Sequence, residues 1–377
     1  MHILEIPSFF PPHGGLFALE QARALKTQGN IVRVLSCVQL GASVDGAFYW
    51  KARHDRWWEE MDGVEVYRSY IRSIPHCIRP NQQRWCRTVQ EMYEDYKHRY
   101  GRPDVLHAHC CQWAGVAARM VAERESIPFF ITEHLPSGIF DLYYGKGWKK
   151  ADWARRLLKD TYEHANHVIP VSAELVDDLA PFFGKDYFFT PISNIIDVDF
   201  FAFRPRERQA NRCFRFCCLA IGDIERKGYD VLAEALKGMK NVELHIAGKG
   251  TDSGAVRHLF DDLDGISFHG ELDRQGVREL LYHSDALVLA SRSESQGLVI
   301  MEAISTGIPV VTTDIIPKNA LLEGACLIAK AGDAFSLRQR IQEVVDVVFD
   351  PQWSNELRKR VAPDVVARQL MQIFNQG

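Results

Sequence analysis

The segment DALVLASRSESQGLVIMEAISTGIPVVTT, Asp285–Thr313, decides how the rest of the chain is read. Asp285–Ala290 is an apolar run of the length of a buried parallel strand. A polar loop, Ser291–Gln296, follows it. Gly297 then opens a helix carrying Leu298, Met301, Ala303 and Ile304. Gly307 closes the helix, Pro309 forbids its continuation, and Val310-Val311 starts the next strand. Two carboxylates, Glu294 and Glu302, bracket the helix start. Bare N–H groups after Gly297 make a seat for phosphate, whereas a carboxylate beside an anion seat suits a sugar hydroxyl. Hydroxyls at both ends of a ligand with phosphate between them describe a nucleotide sugar.

The same alternation extends outward. Phe214–Ala220 reads as a buried strand, Ile221–Gly228 as a loop holding Arg226 and Lys227, and Tyr229–Leu236 as a helix. Strands at Val242–Ala247 and Ile266–His269 and a helix at Asp273–His283 lead into the opening segment. Leu337, Ile341, Val344, Val345 and Val348 mark a late amphipathic helix, and Pro363–Phe374 a final one. The N-terminal half repeats the pattern. A strand at His2–Ile6, a loop ending in Gly14-Gly15, a helix with Ala18, Ala22 and Leu25 on one face, and a strand at Ile31–Leu35 form a βαβ unit. It lacks the GxGxxG of dinucleotide binding. Gly14-Gly15 serves either a tight turn or the close approach of a ligand. Residues 41–80 read as irregular apart from a strand at Val64–Tyr67. A helix at Arg84–Tyr100 precedes a strand ending in His107-Ala108-His109, and after a helix at Gly115–Glu123 another strand ends in Thr132-Glu133-His134. Strand ends are where α/β proteins hold ligands. The expected organisation is α/β with two separate sheets: a domain over 1–190, a linker over 191–212, a nucleotide-sugar-binding domain over 213–350, and a C-terminal helical segment over 351–377 that packs back on the first domain.

Composition narrows the function. The 377 residues are 46% hydrophobic and 25% charged, so a packed fold is expected. A net charge of −4 argues against a nucleic-acid binder driven by overall charge. Nine cysteines without a CxxC pair, several in apolar runs, read as reduced thiols of a cytoplasmic protein. The start, MHILEIPSFFPP, has no basic n-region and is broken by prolines, so it reads as a strand rather than a signal peptide. His107-x-His109 alone is weak support for a metal, and none is expected. The pair Asp197-x-Asp199 is better explained by turn chemistry. No GxSxG nucleophile elbow occurs.

These residues together resemble the retaining glycosyltransferases of family 4, which have the GT-B fold. Phe9-Phe10-Pro11-Pro12 with Gly14-Gly15 and Glu20 is similar to the family's phosphate-facing loop and helix. Asp104-Val105-Leu106-His107-Ala108-His109, Thr132-Glu133-His134, and Lys227-Gly228 with Asp230 follow in the family's order. Glu294 and Glu302 have the spacing of its paired glutamates. The resemblance implies two Rossmann-like domains facing each other across a cleft that holds the donor. It implies a metal-independent hexosyltransferase using UDP- or GDP-sugar as substrate and no cofactor. Glu302 would hold the ribose hydroxyls and Glu294 the donor sugar, with His109 near that sugar. The Gly297, Leu298 and Val299 backbone would meet the diphosphate together with Lys227 and the Gly14-Gly15 loop. Two departures stand out. The family's "GR" pair is Gly222-Asp223 here, leaving Arg226 to supply the second positive charge. The position two residues after Glu294, often Phe, is Gln296.

The implied acceptor is a glycan or lipid-linked saccharide, in the building of a surface polysaccharide such as capsule, exopolysaccharide or lipopolysaccharide. Such relatives often touch the inner membrane. Two segments mix basic and aromatic residues: Arg79–Arg102 with Trp85, Tyr93 and Tyr96, and Lys146–Lys159 with Trp148, Lys149, Lys150 and Trp153. Neither shows a clean apolar face, so solvated helices are the favoured reading over a peripheral membrane contact. The alternatives are a sugar-nucleotide epimerase of the same fold and a non-catalytic binder of nucleotide sugars.

Overall fold

The computed structural model describes residues 1–145, 151–206 and 212–376. They form two compact units: Met1–Ile195 together with the helix that starts at Pro363, and Ile196–Ala362.

Unit 1 runs β1 (His2–Pro7), α1 (Leu16–Thr27), β2 (Ile31–Leu40), α2 (Ala42–Lys51), β3 (Trp57–Met61), β4 (Val64–Arg72), α3 (Ile78–Tyr100), β5 (Val105–His109), α4 (Val116–Glu125), β6 (Phe129–Glu133), α5 (Ser137–Tyr144), α6 (Asp152–His164), β7 (His167–Pro170) and α7 (Ala173–Phe183). Its seven strands lie in the order β3-β4-β2-β1-β5-β6-β7. All neighbours are parallel except β3 and β4. Strands β5 and β6 are buried throughout, as a parallel sheet covered on both faces requires. One apolar layer packs α3, α4 and α6 on the sheet; the other packs α1.

The stretch 41–80 is more regular than its sequence suggests. β3 and β4 form a hairpin whose turn, Asp62-Gly63, has φ of +48° and +77°. Asp-Gly between strands is a strong hairpin signal, and it went unused in the reading of this stretch. α2 escapes notice for a different reason: it buries none of its residues, so no apolar face marks it.

Unit 2 runs β8 (Phe214–Leu219), α8 (Ile224–Lys227), α9 (Tyr229–Leu236), β9 (Val242–Ala247), α10 (Gly254–His258), β10 (Ile266–Gly270), α11 (Arg274–His283), β11 (Ala286–Val288), α12 (Leu298–Thr306), β12 (Val310–Thr313), β13 (Cys326–Ala329), α13 (Ala334–Val344) and α14 (Pro351–Val361). The sheet order is β10-β9-β8-β11-β12-β13, all parallel. β11 is shorter than the expected Asp285–Ala290, and Asp285 before it serves as an anchor: its carboxylate accepts from Arg215 N at 2.8 Å and from both terminal Arg212 nitrogens, at 2.7 and 2.5 Å. α13 buries Leu337, Ile341 and Val344 but ends there, leaving Val348 88% exposed beyond it.

Of the C-terminal segment 351–377, α14 belongs to unit 2 and only α15 (Pro363–Phe374) to unit 1. α15 buries Val366, Ala367, Leu370, Ile373 and Phe374 in the layer that contains Leu19, Ala22 and Leu25 of α1. In the connecting stretch, Asp197 Oδ1 accepts from Phe200 N at 3.0 Å, and Arg274 and Arg358 pair with Asp197 and Asp199. The remainder of the expected linker, residues 207–211, lies outside the described residues. Among the described residues no helix is long and apolar enough to cross a membrane.

Candidate functional site

In unit 2 the site is built where α8, α9 and the loop after β11 converge. Asp223 caps α8, accepting from Arg226 N at 2.9 Å. Gly228 then turns the chain at φ +66°, and a Cβ there would lie 2.1 Å from the carbonyl oxygen of Ala290. That crossing, open only to glycine, brings Lys227 against the loop 291–296. Lys227 Nζ forms an ion pair with Glu294 Oε1, and Ser291 Oγ donates to the same oxygen at 3.0 Å. Arg292 fastens the loop from the other side, its guanidinium spanning both Asp230 oxygens at 2.9 and 2.7 Å. Arg226 is not the free cation that the missing "GR" arginine called for: its Nε meets Asp223 Oδ2 at 2.7 Å.

α12 begins immediately after Gly297. Leu298 and Val299 occupy its first turn, where backbone N–H groups have no partner inside the helix, and that turn holds no acidic side chain. Its positive end is therefore available to an anion. Glu302 lies one turn further on and is partly buried. Burial pushes its carboxyl up to about 7, against the opposing pull of Arg274. Gln296 is 1% exposed, so it is an interior residue of the loop.

In unit 1 the carboxyl ends of β1, β5 and β6 lie side by side, with Pro7 opposite His109 and His109 opposite Thr132. Gly15 starts α1 at φ +71°, and a Cβ on it would stand 2.0 Å from the Phe9 carbonyl oxygen. The Gly14-Gly15 loop thus folds onto its own backbone. Beneath it is a chain of buried polar groups. His109 Nε2 meets Glu5 Oε2 at 2.8 Å, and His109 Nδ1 meets His134 Nε2 at 3.3 Å. His107 Nδ1 also stands 2.8 Å from Glu5 Oε2, off the line of a good hydrogen bond, while its Nε2 meets Thr132 Oγ1 at 2.7 Å. Phe17, in the first turn of α1, stacks on His134 with ring centroids 3.7 Å apart. His109 is therefore placed at the strand edge, but its ring is 0% exposed and both nitrogens are engaged.

Burial raises the Glu5 carboxyl, but the adjoining imidazoles of His107 and His109 outweigh it and hold the group down to about 2. Burial keeps the His109 and His134 imidazoles below their ordinary range. Glu5, His107 and His109 lie close enough together to be considered as metal ligands. Their 2.8 Å spacings are those of polar contacts to one shared oxygen, whereas ligand atoms about 2.0 Å from a tetrahedral zinc stand about 3.3 Å apart.

Beside the same edge lies a cavity of about 350 Å³ lined in part by Phe9, His13, Gln39, Trp85, Trp113 and Tyr143. His13 Nδ1 faces Asp45 at 3.9 Å, and its buried Nε2 has no partner among the described residues. His13 and Glu5 were not singled out from the sequence. Glu5 carried a signal, being the one acid in the otherwise apolar run Ile3–Ile6. The basic and aromatic segments behave as ordinary helices: Trp85, Tyr93 and Tyr96 of α3 are core residues. Trp148, Lys149 and Lys150 lie outside the described residues. Exposed apolar side chains occur instead on α2, at Val44 and Trp50, and on α5, at Leu142.

Residues 14–192 match the family described as "Glycosyl transferase 4-like domain", and residues 215–346 the family "Glycosyl transferases group 1". The chain belongs to the group 1 glycosyltransferases of family 4, with the GT-B fold. It is 24% identical, over 96% of its length and 94% of the relative's, to the Bacillus subtilis glycosyltransferase TuaC, named for teichuronic acid biosynthesis. A glycogen synthase of Mycobacterium tuberculosis is 31% identical over 57% of this chain and 53% of its own. Among solved structures, sucrose-phosphate synthase from Thermosynechococcus elongatus superposes with a TM-score of 0.77 at 18% identity, covering 100% of this chain and 99% of that one. Anabaena HepE in complex with UDP gives 0.73 at 14% identity, with both chains covered completely.

Proposed function

We propose that the protein is a retaining glycosyltransferase that moves a hexose from a nucleoside diphosphate-sugar to a glycan or lipid-linked acceptor in surface polysaccharide synthesis. The observation that carries this reading is the arrangement at the start of α12. A helix N-terminus without an acid in its first turn is flanked by Glu294, paired with Lys227, and by Glu302. The N–H groups of Leu298 and Val299 and the ammonium of Lys227 suit a diphosphate. The two carboxylates suit hydroxyls, Glu302 on the ribose and Glu294 on the transferred sugar. The relationship to TuaC supports a polysaccharide acceptor, and the complexes of HepE with UDP and with UDP-glucose support a uridine nucleotide.

In the proposed step the bond between the anomeric carbon and the diphosphate oxygen breaks. The acceptor oxygen forms its bond on the same face, and the acceptor proton passes to the departing phosphate. Charge grows on the diphosphate, where Lys227 and the α12 amides stabilise it without need of a metal. A saccharide acceptor fits the 350 Å³ cavity of unit 1, whose aromatic side chains offer flat apolar surfaces to a sugar ring.

Thermal shift against UDP-, GDP- and ADP-sugars tests the donor, since a ligand that binds only the folded state raises Tm. The positive nucleotide is then assayed for diphosphate release with and without oligosaccharide acceptors. A rise in Tm with one base and acceptor-dependent release are expected. No shift with any nucleotide sugar would remove the donor assignment; release of the isomerised sugar without acceptor would favour the epimerase.

A further inference from the structure

We infer that Glu5 is a positioning residue that fixes the tautomers of His109 and His134, leaving the Nδ1 lone pair of His134 as the hydrogen-bond acceptor offered to a hydroxyl at this strand edge. The source of the hydroxyl rests on the proposed glycosyl transfer, but the tautomers do not depend on that reading.

The tautomers follow from counting donors and acceptors. Glu5 is fully buried and its Oε2 is approached by two ring nitrogens, His107 Nδ1 and His109 Nε2, each at 2.8 Å. A carboxylate only accepts, so His109 Nε2, which has the geometry of a hydrogen bond to it, carries its hydrogen. Burial disfavours an imidazolium at His109, so that ring is neutral and its Nδ1 is a lone pair. His109 Nδ1 accepts from His134, whose Nε2 lies 3.3 Å away and must carry its hydrogen. That leaves His134 Nδ1 as a lone pair. It is buried and has no partner among the described residues.

Leaving a buried acceptor without a donor is costly, so the site is completed by a small donor. A hydroxyl is such a donor, carried by water in the resting protein and by a sugar when substrate is bound. The setting agrees with this. His134 follows directly on β6 and lies under Phe17, in the first turn of α1 after the Gly14-Gly15 loop. The other titratable groups packed around it leave the assignment intact. Glu133 turns away, accepting from the backbone N–H groups of Cys111, His134 and Leu135 and from Tyr162 Oη. The thiols of Cys110 and Cys111 are pushed up by burial and remain protonated.

The test is the ¹⁵N spectrum of the imidazoles in the full-length protein, which distinguishes Nδ1–H, Nε2–H and imidazolium. His109 and His134 are both expected as neutral Nε2–H tautomers. Observing Nδ1–H or a charged ring at either position overturns the inference. In Glu5→Gln the His109 and His134 signals should both move, because a neutral amide, which also carries donors, loses the acceptor-only charge that orders the two rings. Unchanged His134 shifts in a folded variant also overturn it, and if that variant does not fold, the wild-type tautomers alone decide. Glucose at saturating concentration should shift His134 Nδ1 more than any ring nitrogen of His109. A shift confined to His109 removes the hydroxyl-binding role. Absence of any nucleotide-sugar binding by thermal shift counts against the glycosyl-transfer reading while leaving the tautomers as measured.

Discussion

Lys227 Nζ and Glu294 Oε1 are paired across 67 residues of sequence, with both side chains about six-sevenths withdrawn from solvent. The cation proposed for phosphate and the acid proposed for a sugar thus hold each other in place. Lys227→Ala should lower diphosphate release by about 10²-fold, the scale for losing one donor to a developing anion. The double variant with Glu294→Gln should fall well short of the product of the single losses, because groups in direct contact do not act independently. Full activity in Lys227→Ala would remove the lysine from the site.

Glu302 makes the protein's pH response specific. Its carboxyl sits at about 7 against an ordinary 4.5. A raised carboxyl binds its proton more tightly in the folded state, so its stabilising contribution is complete below pH 4.5 and is lost as pH rises through 7. The Tm difference between wild type and Glu302→Gln should therefore shrink, in the wild type's disfavour, across that window. Nucleotide affinity should run the other way and tighten above pH 7, since a carboxylate accepts from ribose hydroxyls better than an acid does. A difference curve flat in pH would contradict the assignment.

Asp223 holds back a positive charge. In Asp223→Ala the cap of α8 is lost at about 1 kcal/mol, and the Arg226 guanidinium is released from its 2.7 Å contact. The variant should melt lower yet bind nucleoside diphosphate more tightly, with the gain vanishing at high salt. Isothermal titration at two ionic strengths separates this outcome from a purely destabilising one.

Gly228 admits no side chain. With φ at +66° and the Ala290 oxygen 2.1 Å from the position of a Cβ, Gly228→Ala must displace either α9 or the end of β11. Backbone strain of this kind costs about 1–3 kcal/mol. Diphosphate release should fall further than the loss of folded protein accounts for, because Lys227 moves with the turn. Circular dichroism and activity measured on the same sample check this.

The periodic segments were legible in the chain. α9 and α15 fall where the apolar spacing placed them. What escaped depended on contacts distant in sequence. Arg226 looks like a free cation until Asp223 is seen to hold it. His109 looks like a ligand residue until Glu5, 104 positions earlier, is seen beneath it. α2 was hidden because a helix without a buried face leaves no pattern to read.

The last helix also bears on how the chain is made. Most of unit 1 is translated before unit 2, yet part of its apolar layer is the twelve-residue α15, translated after all of unit 2. Until α15 has emerged from the ribosome, α1 has an uncovered apolar flank where Leu370 and Phe374 will sit. Unit 2 is drawn from one continuous stretch and can close first, so the half that starts earliest is the half that finishes last.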